Sequence, residues 1–161
     1  MRTPEQEANL LALADFLDTD PADFDMWTFA ERKGEILQVD DPIECGTVCC
    51  AVGYSAVIFP EKLKEFLKTH LDPDWMDYGE YVFGNLGIGW DWLFSGSWSA
   101  VDNTPKGAAK RIRDYVKNGV PEWFVKDVMY DSPIEFLALY KGWHDVYDNE
   151  LQNKEVPEGS G

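Results

Sequence analysis

The most reactive groups in the sequence are three clustered thiols, those of Cys45, Cys49 and Cys50. A cysteine at the start of a helix can have a lowered pKa and act as a nucleophile, and Cys45 directly precedes a nearly uncharged segment. Acidic residues just before Cys45 oppose ionisation of its thiol. One hypothesis is therefore a thiol-dependent enzyme in which Cys45 works with His70 or His144, while the other two cysteines are interpreted as small packing residues.

Metal and nucleotide chemistry are not favoured. The cysteines lack the paired Cys-x-x-Cys spacing of zinc sites. Two acidic runs, at residues 18–25 and 72–77, resemble calcium loops but lack Gly at the sixth and Glu at the twelfth position. The glycine-rich segment 84–89 is not part of a recognisable strand–loop–helix unit. We therefore expect no cofactor and no catalytic residues, and we interpret the acidic runs as solvated or helix-capping segments.

Acidic residues dominate the composition: 30 Asp and Glu face 14 Lys and Arg, so the formal net charge is −16. Such a surface repels nucleic acid and anionic membranes and attracts basic protein surfaces. Residues 1–44 carry twelve acidic and three basic residues, which makes the N-terminal third the negative pole. The predicted partner-binding residues are Asp15, Asp18, Asp20, Asp23, Asp25, Asp40, Asp41 and Glu44.

The charge density limits one interpretation, imitation of nucleic acid. Spread evenly, the net charge amounts to about one per 500 Å² of surface, against roughly one per 100 Å² for duplex DNA. Mimicry therefore requires that the acidic side chains crowd onto one face. The alternative is a negative surface that only keeps a small protein dispersed.

Capping signals and helical periodicity predict a mainly α protein with, at most, a minor short-strand element. Helices are expected to start at Thr3-Pro4, Thr104-Pro105 and Ser132-Pro133, and further helices are predicted over residues 46–58, 61–70, 88–94 and 121–129. Residues 31–35 are expected to form a polar turn, residues 36–39 a short strand, and residues 81–83 a short strand or a loop. Exposure of Trp75 or Trp98 would indicate a binding groove.

The length of 161 residues predicts one acidic globular domain over residues 1–152, with a flexible tail at residues 153–161. We expect no signal peptide, because the N-terminus turns acidic at once, and no membrane-spanning helix, because no apolar run is long enough. An odd, clustered set of cysteines is typical of reduced thiols in the cytoplasm. The oligomeric state is left open.

One pattern resembles a known group of proteins. It consists of Cys45-Gly46-Thr47-x-x-Cys50-x-x-Gly53-Tyr54, followed by Trp92-Leu93-Phe94 and by Thr104-Pro105 with Ala108-Ala109-x-x-Ile112. This order is similar to that of small uncharacterised bacterial and phage proteins with a Cys-Gly-Thr-x-x-Cys-x-x-Gly-aromatic motif, over about residues 24–118. The resemblance implies a bacterial or phage context and no particular activity.

The function that the sequence favours is a non-catalytic acidic protein that blocks or sequesters a basic protein. The expected partner is a nucleic-acid-handling or defence-related protein, as in a phage-type inhibitor, with no direct contact to nucleic acid or membrane. The alternatives are the thiol enzyme at Cys45 and a structural protein that self-associates through an aromatic surface.

Overall fold

The computed structural model describes residues 2–43, 47–127 and 133–154. The chain forms two compact units, Met1–Val120 and Pro121–Gly161. The predicted single domain over residues 1–152 stays a prediction, because two compact units are compatible with one folding unit or with two. From residue 155 onward, the predicted tail lies outside the described residues.

The protein is mostly helical with a small antiparallel sheet, as the sequence predicts. In the first unit the helices are α1 (Pro4–Leu17), α2 (Ala51–Ile58), α3 (Pro60–Thr69), α4 (Trp75–Phe83), α5 (Gly89–Phe94) and α6 (Pro105–Asn118). The strands are β1 (Ala30–Arg32), β2 (Glu35–Ile36) and β3 (Val48–Cys49), and a 3-10 turn covers Gly96–Ala100.

Helices α1 and α6 are packed together and begin as the capping signals predict. The Thr3 side chain accepts a hydrogen bond from the Gln6 amide, and the Gln6 side-chain oxygen accepts one from the Thr3 amide, which completes a capping box. The Thr104 hydroxyl accepts from the Gly107 amide, and α6 ends at Gly119, whose φ is 77°. The buried faces of the two helices include Leu10, Leu13, Ala14, Leu17, Ala108, Ala109 and Ile112.

The three strands run in the order β2-β1-β3, and both pairings are antiparallel. Strands β1 and β2 are joined by Lys33 and Gly34, whose φ angles of 52° and 81° match a tight two-residue hairpin turn. The predicted polar turn over 31–35 and strand over 36–39 are therefore shifted: residues 30–32 are a strand, and β2 ends at Ile36.

Two further segments differ from the sequence prediction. Residues 47–50 are not helical, although the sequence predicted a helix over 46–58. Strand β3 precedes α2, and the amide of Cys50, which lies between the two elements, donates to the Thr28 carbonyl. Residues 81–83 belong to α4 and not to a strand or loop, because Asp74 caps that helix and the stripe of Trp75, Tyr78 and Val82 is buried.

The second unit contains α7 (Glu122–Asp127) and α8 (Pro133–Lys154). The rings of Trp123, Phe124 and Phe136 contact one another edge to face, with centroids 5.7 to 6.3 Å apart. The predicted cap at Ser132 lies outside the described residues. In the part of the chain that the structure describes, no helix is both long enough and apolar enough to cross a bilayer.

Candidate functional site

The predicted partner-binding acids fall into separate groups, and the first group lies on α1. Asp15 and Asp18 are exposed near the end of this helix, and both contact Arg113 of α6. The Arg113 guanidinium lies 2.9 Å from Asp15 Oδ1. Because one cation serves both carboxylates, this group offers less negative charge to a partner than the sequence alone predicts.

A second group, Asp20, Asp23 and Asp25, lies in the loop that follows α1. We call residues 20–27 the Trp27 loop. The side chains of Asp20 and Asp23 are exposed, and that of Asp25 is half-buried. Asp20 has a φ of 59°, a left-handed conformation that Asp and Asn tolerate better than most residues.

The third group, Asp40 and Asp41, follows β2, where the Asp41 carboxylate accepts a hydrogen bond from the Gln38 amide at 2.8 Å. Phe24 of the Trp27 loop forms a β-bridge with Cys49 of β3, and because the other side of β3 pairs with β1, β2 and this loop lie at opposite edges of the sheet. Three strand spacings separate them by about 14 Å. Glu44, the last predicted site residue, lies outside the described residues.

Residues 47–54, the described part of the Cys-Gly-Thr-x-x-Cys-x-x-Gly-aromatic motif, form the corner that holds the Trp27 loop. The Asp23 carbonyl accepts from the Cys49 amide at 3.0 Å and from the Tyr54 hydroxyl at 2.8 Å. The Asp25 amide donates to the Cys49 carbonyl at 3.1 Å. The Tyr54 ring also stacks on Phe24, with centroids 6.4 Å apart. The described part of the motif therefore positions the loop through its backbone.

The opposite side of the loop is held by Asn103, just before α6. Its side-chain oxygen accepts from the Met26 amide at 2.8 Å, and its amide nitrogen donates to the Asp25 carboxylate at 3.2 Å. Met26 itself is buried, which anchors the loop in the core. A loop held from both sides loses little conformational entropy when it binds a partner.

Trp27 is the residue that this arrangement presents to solvent. Its side chain is 74% exposed, whereas Trp75 and Trp98, which the sequence analysis singled out, are 5% and 2% exposed. The Cε3 atom of the indole lies near Gly96, and no aromatic ring of the described residues stacks on the indole. Sequence reasoning missed Trp27 because the apolar residues around it, Phe24, Met26 and Phe29, follow no helical spacing, so the sequence did not indicate which of them face solvent.

The carboxylate of Asp25 is fixed by hydrogen bonds to the backbone of Trp27 and to the Asn103 side chain. Asp25 Oδ1 accepts from the Trp27 amide at 3.0 Å and from the Asn103 side chain. Both bonds use the same oxygen, so within the described residues Asp25 Oδ2 keeps its acceptor capacity. The site thus combines one exposed aromatic ring, one positioned carboxylate and the nearby negative charges of Asp20 and Asp23.

The described thiols are poor nucleophiles. Cys49 and Cys50 are buried, and burial raises the pKa of Cys49 to about 12 and that of Cys50 to about 11. Cys45 lies outside the described residues, so its predicted reactivity stays a prediction. His70 stacks on Phe66, and its Nδ1 lies 2.9 Å from the Phe66 carbonyl at the end of α3.

Among the residues that the structure describes, no cluster of three or more His, Cys, Asp or Glu side chains has the arrangement of a metal site. The acidic runs at 18–25 and 72–77 instead include helix-capping and loop contacts, such as that of Asp74 with the Asp77 amide at 2.7 Å. Comparisons with family models, with curated proteins and with solved structures give no match to this chain.

Proposed function

We propose that this chain is a non-catalytic acidic binding protein that blocks or sequesters a basic protein in the cytoplasm. The observation that carries the proposal is the Trp27 loop, in which a 74% exposed tryptophan stands among carboxylates on a backbone held from both sides. Large exposed aromatic side chains on rigid loops are typical centres of protein interfaces.

The charge of the chain supports a basic partner. A net charge of −16 accelerates association with a positive surface and opposes binding to nucleic acid or to anionic lipid. Basic surfaces are typical of proteins that handle nucleic acids, including defence enzymes, because those proteins must bind phosphates. An inhibitor of the phage type, which covers such a surface, is the mode of action that we propose.

The arrangement of the acids favours a compact contact over imitation of a duplex. Arg113 contacts Asp15 and Asp18, and the loops that carry Asp23 and Asp40 lie at opposite sheet edges. A DNA mimic needs a continuous row of uncompensated charges. A partner that docks on the Trp27 loop needs only the local acids together with the exposed ring.

The proposal is tested by neutralising acids on the Trp27 loop and, as a control, elsewhere. Asp20→Asn with Asp23→Asn removes two negative charges from the loop, and Asp72→Asn with Glu80→Gln removes two from exposed positions on another part of the first unit. Asn suits the left-handed conformation at position 20, so the loop is expected to keep its shape. Proteins captured from bacterial lysate at low ionic strength are identified, purified and titrated against each variant.

We expect basic proteins to bind at low salt and to dissociate at high salt. The loop variant is expected to bind about fivefold to tenfold more weakly, since each rim charge contributes a few tenths to about 1 kcal/mol. The control variant is expected to bind within about twofold of the parent chain. Binding that is independent of salt, or equal losses in the two variants, would contradict the proposal.

A further inference from the structure

We infer that the Trp27 loop binds an arginine side chain of its partner, with the guanidinium on the face of the indole and hydrogen-bonded to the Asp25 carboxylate. The inference rests on the proposed function, because it names the group that the same surface recognises. In this inference Trp27 and Asp25 contact the arginine and determine specificity. Asp20 and Asp23 attract the basic partner over a longer distance.

Trp27 is the first part of the argument. The buried tryptophans Trp75, Trp92 and Trp98 each donate their indole N–H to a backbone carbonyl, at 3.0 to 3.3 Å. The Trp27 indole N–H makes no hydrogen bond with the described residues, and 74% of the side chain is exposed. An exposed indole face attracts cations through its quadrupole, and the surrounding carboxylates strengthen that attraction.

Asp25 is the second part, because it selects the kind of cation. Its carboxylate is immobilised through Oδ1 by the Trp27 backbone amide and by Asn103, which leaves Oδ2 as an acceptor two residues before the exposed tryptophan. A guanidinium is planar and has five N–H donors, so it can stack on the indole and donate to the carboxylate at the same time. The compact ammonium of lysine is more strongly hydrated and cannot make both contacts as well.

The same chain already uses this combination in its core. The Arg111 guanidinium lies over the Trp98 ring, 4.1 Å from the centroid, and 3.8 Å from the Asp102 carboxylate. There the arginine, the tryptophan and the acid all belong to one chain. At the Trp27 loop the ring and the acid are present, and no Arg or Lys of the described residues lies over the Trp27 ring. Charge complementarity therefore assigns this position to a cationic side chain from another protein.

The experiment uses two peptides of equal length and charge, an arginine–glycine repeat and a lysine–glycine repeat, titrated into the full chain by calorimetry. The indole N–H resonance of Trp27, assigned by its loss in Trp27→Phe, reports whether the ring is contacted. We expect the arginine peptide to bind more tightly than the lysine peptide and to shift this resonance. Trp27→Ala is expected to weaken arginine-peptide binding by about fivefold to thirtyfold.

Asp25→Asn is the matched second variant. It keeps a side-chain oxygen that can accept from the Trp27 amide, so the loop conformation is retained while the charge is lost. We expect it to abolish the preference for arginine over lysine. Trp27 is exposed and Trp27→Phe keeps a ring, so partial retention of binding by Trp27→Phe separates a lost contact from a misfolded protein.

The outcomes separate this inference from the proposed function. If both peptides bind equally and Trp27→Ala has no effect, while Asp20→Asn with Asp23→Asn weakens binding, the inference is wrong and the proposed function stands. If neither peptide binds and no basic protein is captured from lysate at low salt, the proposed function itself is wrong. If the chain self-associates and Trp27→Ala makes it monomeric in sedimentation, the occupant is a second copy and the inference is overturned.

Discussion

Gly53 connects the sequence motif to the candidate site at the scale of a single residue. A Cβ atom built on Gly53 would lie 1.8 Å from the Phe29 carbonyl oxygen and 3.0 Å from the Cys49 Cβ. The absence of a side chain therefore lets α2 approach the backbone that follows the Trp27 loop. One position further on, the Tyr54 hydroxyl donates to the Asp23 carbonyl. The glycine–aromatic pair thus sets where the loop runs.

Gly53→Ala is expected to lower the free energy of unfolding by at least about 1–3 kcal/mol, because the obstructing atom belongs to the backbone and cannot rotate away. The matched control is Gly142→Ala in α8, where an added Cβ meets no atom within 4 Å. In an open helical position this change stabilises by up to about 1 kcal/mol. Urea unfolding monitored by circular dichroism measures both variants. A neutral Gly53→Ala would show that the corner relaxes without cost.

At the scale of elements, local capping chemistry predicted helices better than periodicity predicted strands. The starts of α1 and α6 depend on Thr3 and Thr104 with the prolines that follow them, and these contacts form within one turn. Residues 30–32 and 48–49 became strands because they pair with one another and with Phe24, which are contacts between distant parts of the chain. No periodicity within two or three residues can reveal such pairing.

The candidate site was predicted only in part for the same reason. Composition placed the acids of the site in residues 1–44, and Asp20, Asp23 and Asp25 do share one loop. Their organisation depends on Tyr54 and Asn103, which lie 31 and 78 residues away from the backbone and side-chain groups that they bind. The exposure of Trp27 follows from that long-range arrangement, and composition carries no signal for it.

Thr104→Ala tests the cap of α6, the helix that follows the Asn103 contact to the Trp27 loop. The Thr104 hydroxyl accepts from the Gly107 amide at 3.0 Å and donates to the Asp102 carboxylate at 2.6 Å. Its loss is expected to cost about 1 kcal/mol. Thr104→Ser keeps the hydroxyl and is expected to unfold at nearly the parent urea concentration. If both substitutions cost the same, the methyl group of Thr104 and not its cap stabilises the helix.

For the whole molecule, net charge describes the average surface but not the surface that a partner meets. The acidic residues of the N-terminal third do not form one continuous negative surface. Arg113 contacts two of them, Asp15 and Asp18, and the sheet separates the acids that follow β2 from those of the Trp27 loop. Local acids therefore act together with nearby apolar groups, and the Trp27 loop combines such acids with an aromatic residue that is 74% exposed. The core, in contrast, carries neutral titratable groups whose burial affects the stability of the fold as pH rises.

Stability is expected to fall in alkaline solution because the buried thiols and phenols must stay protonated in the folded state. Burial raises the pKa of Cys50 from 9.0 to about 11, that of Cys49 from 9.0 to about 12, and those of Tyr54 and Tyr78 from 10.0 to about 12. Between pH 9 and pH 11 the unfolded chain therefore loses protons that the folded chain keeps, so the free energy of unfolding decreases.

Cys50 is expected to contribute to this decline between about pH 9 and pH 11, because over that interval its thiol ionises in the unfolded chain and stays protonated in the folded one. The measurement is urea unfolding at a series of pH values, for the parent chain and for Cys49→Ala with Cys50→Ala. The double variant is expected to be less stable at neutral pH because it leaves space in the core, but its stability should decline less steeply above pH 9. Parallel pH profiles for the two chains would mean that these thiols ionise as readily in the folded protein as in the unfolded one.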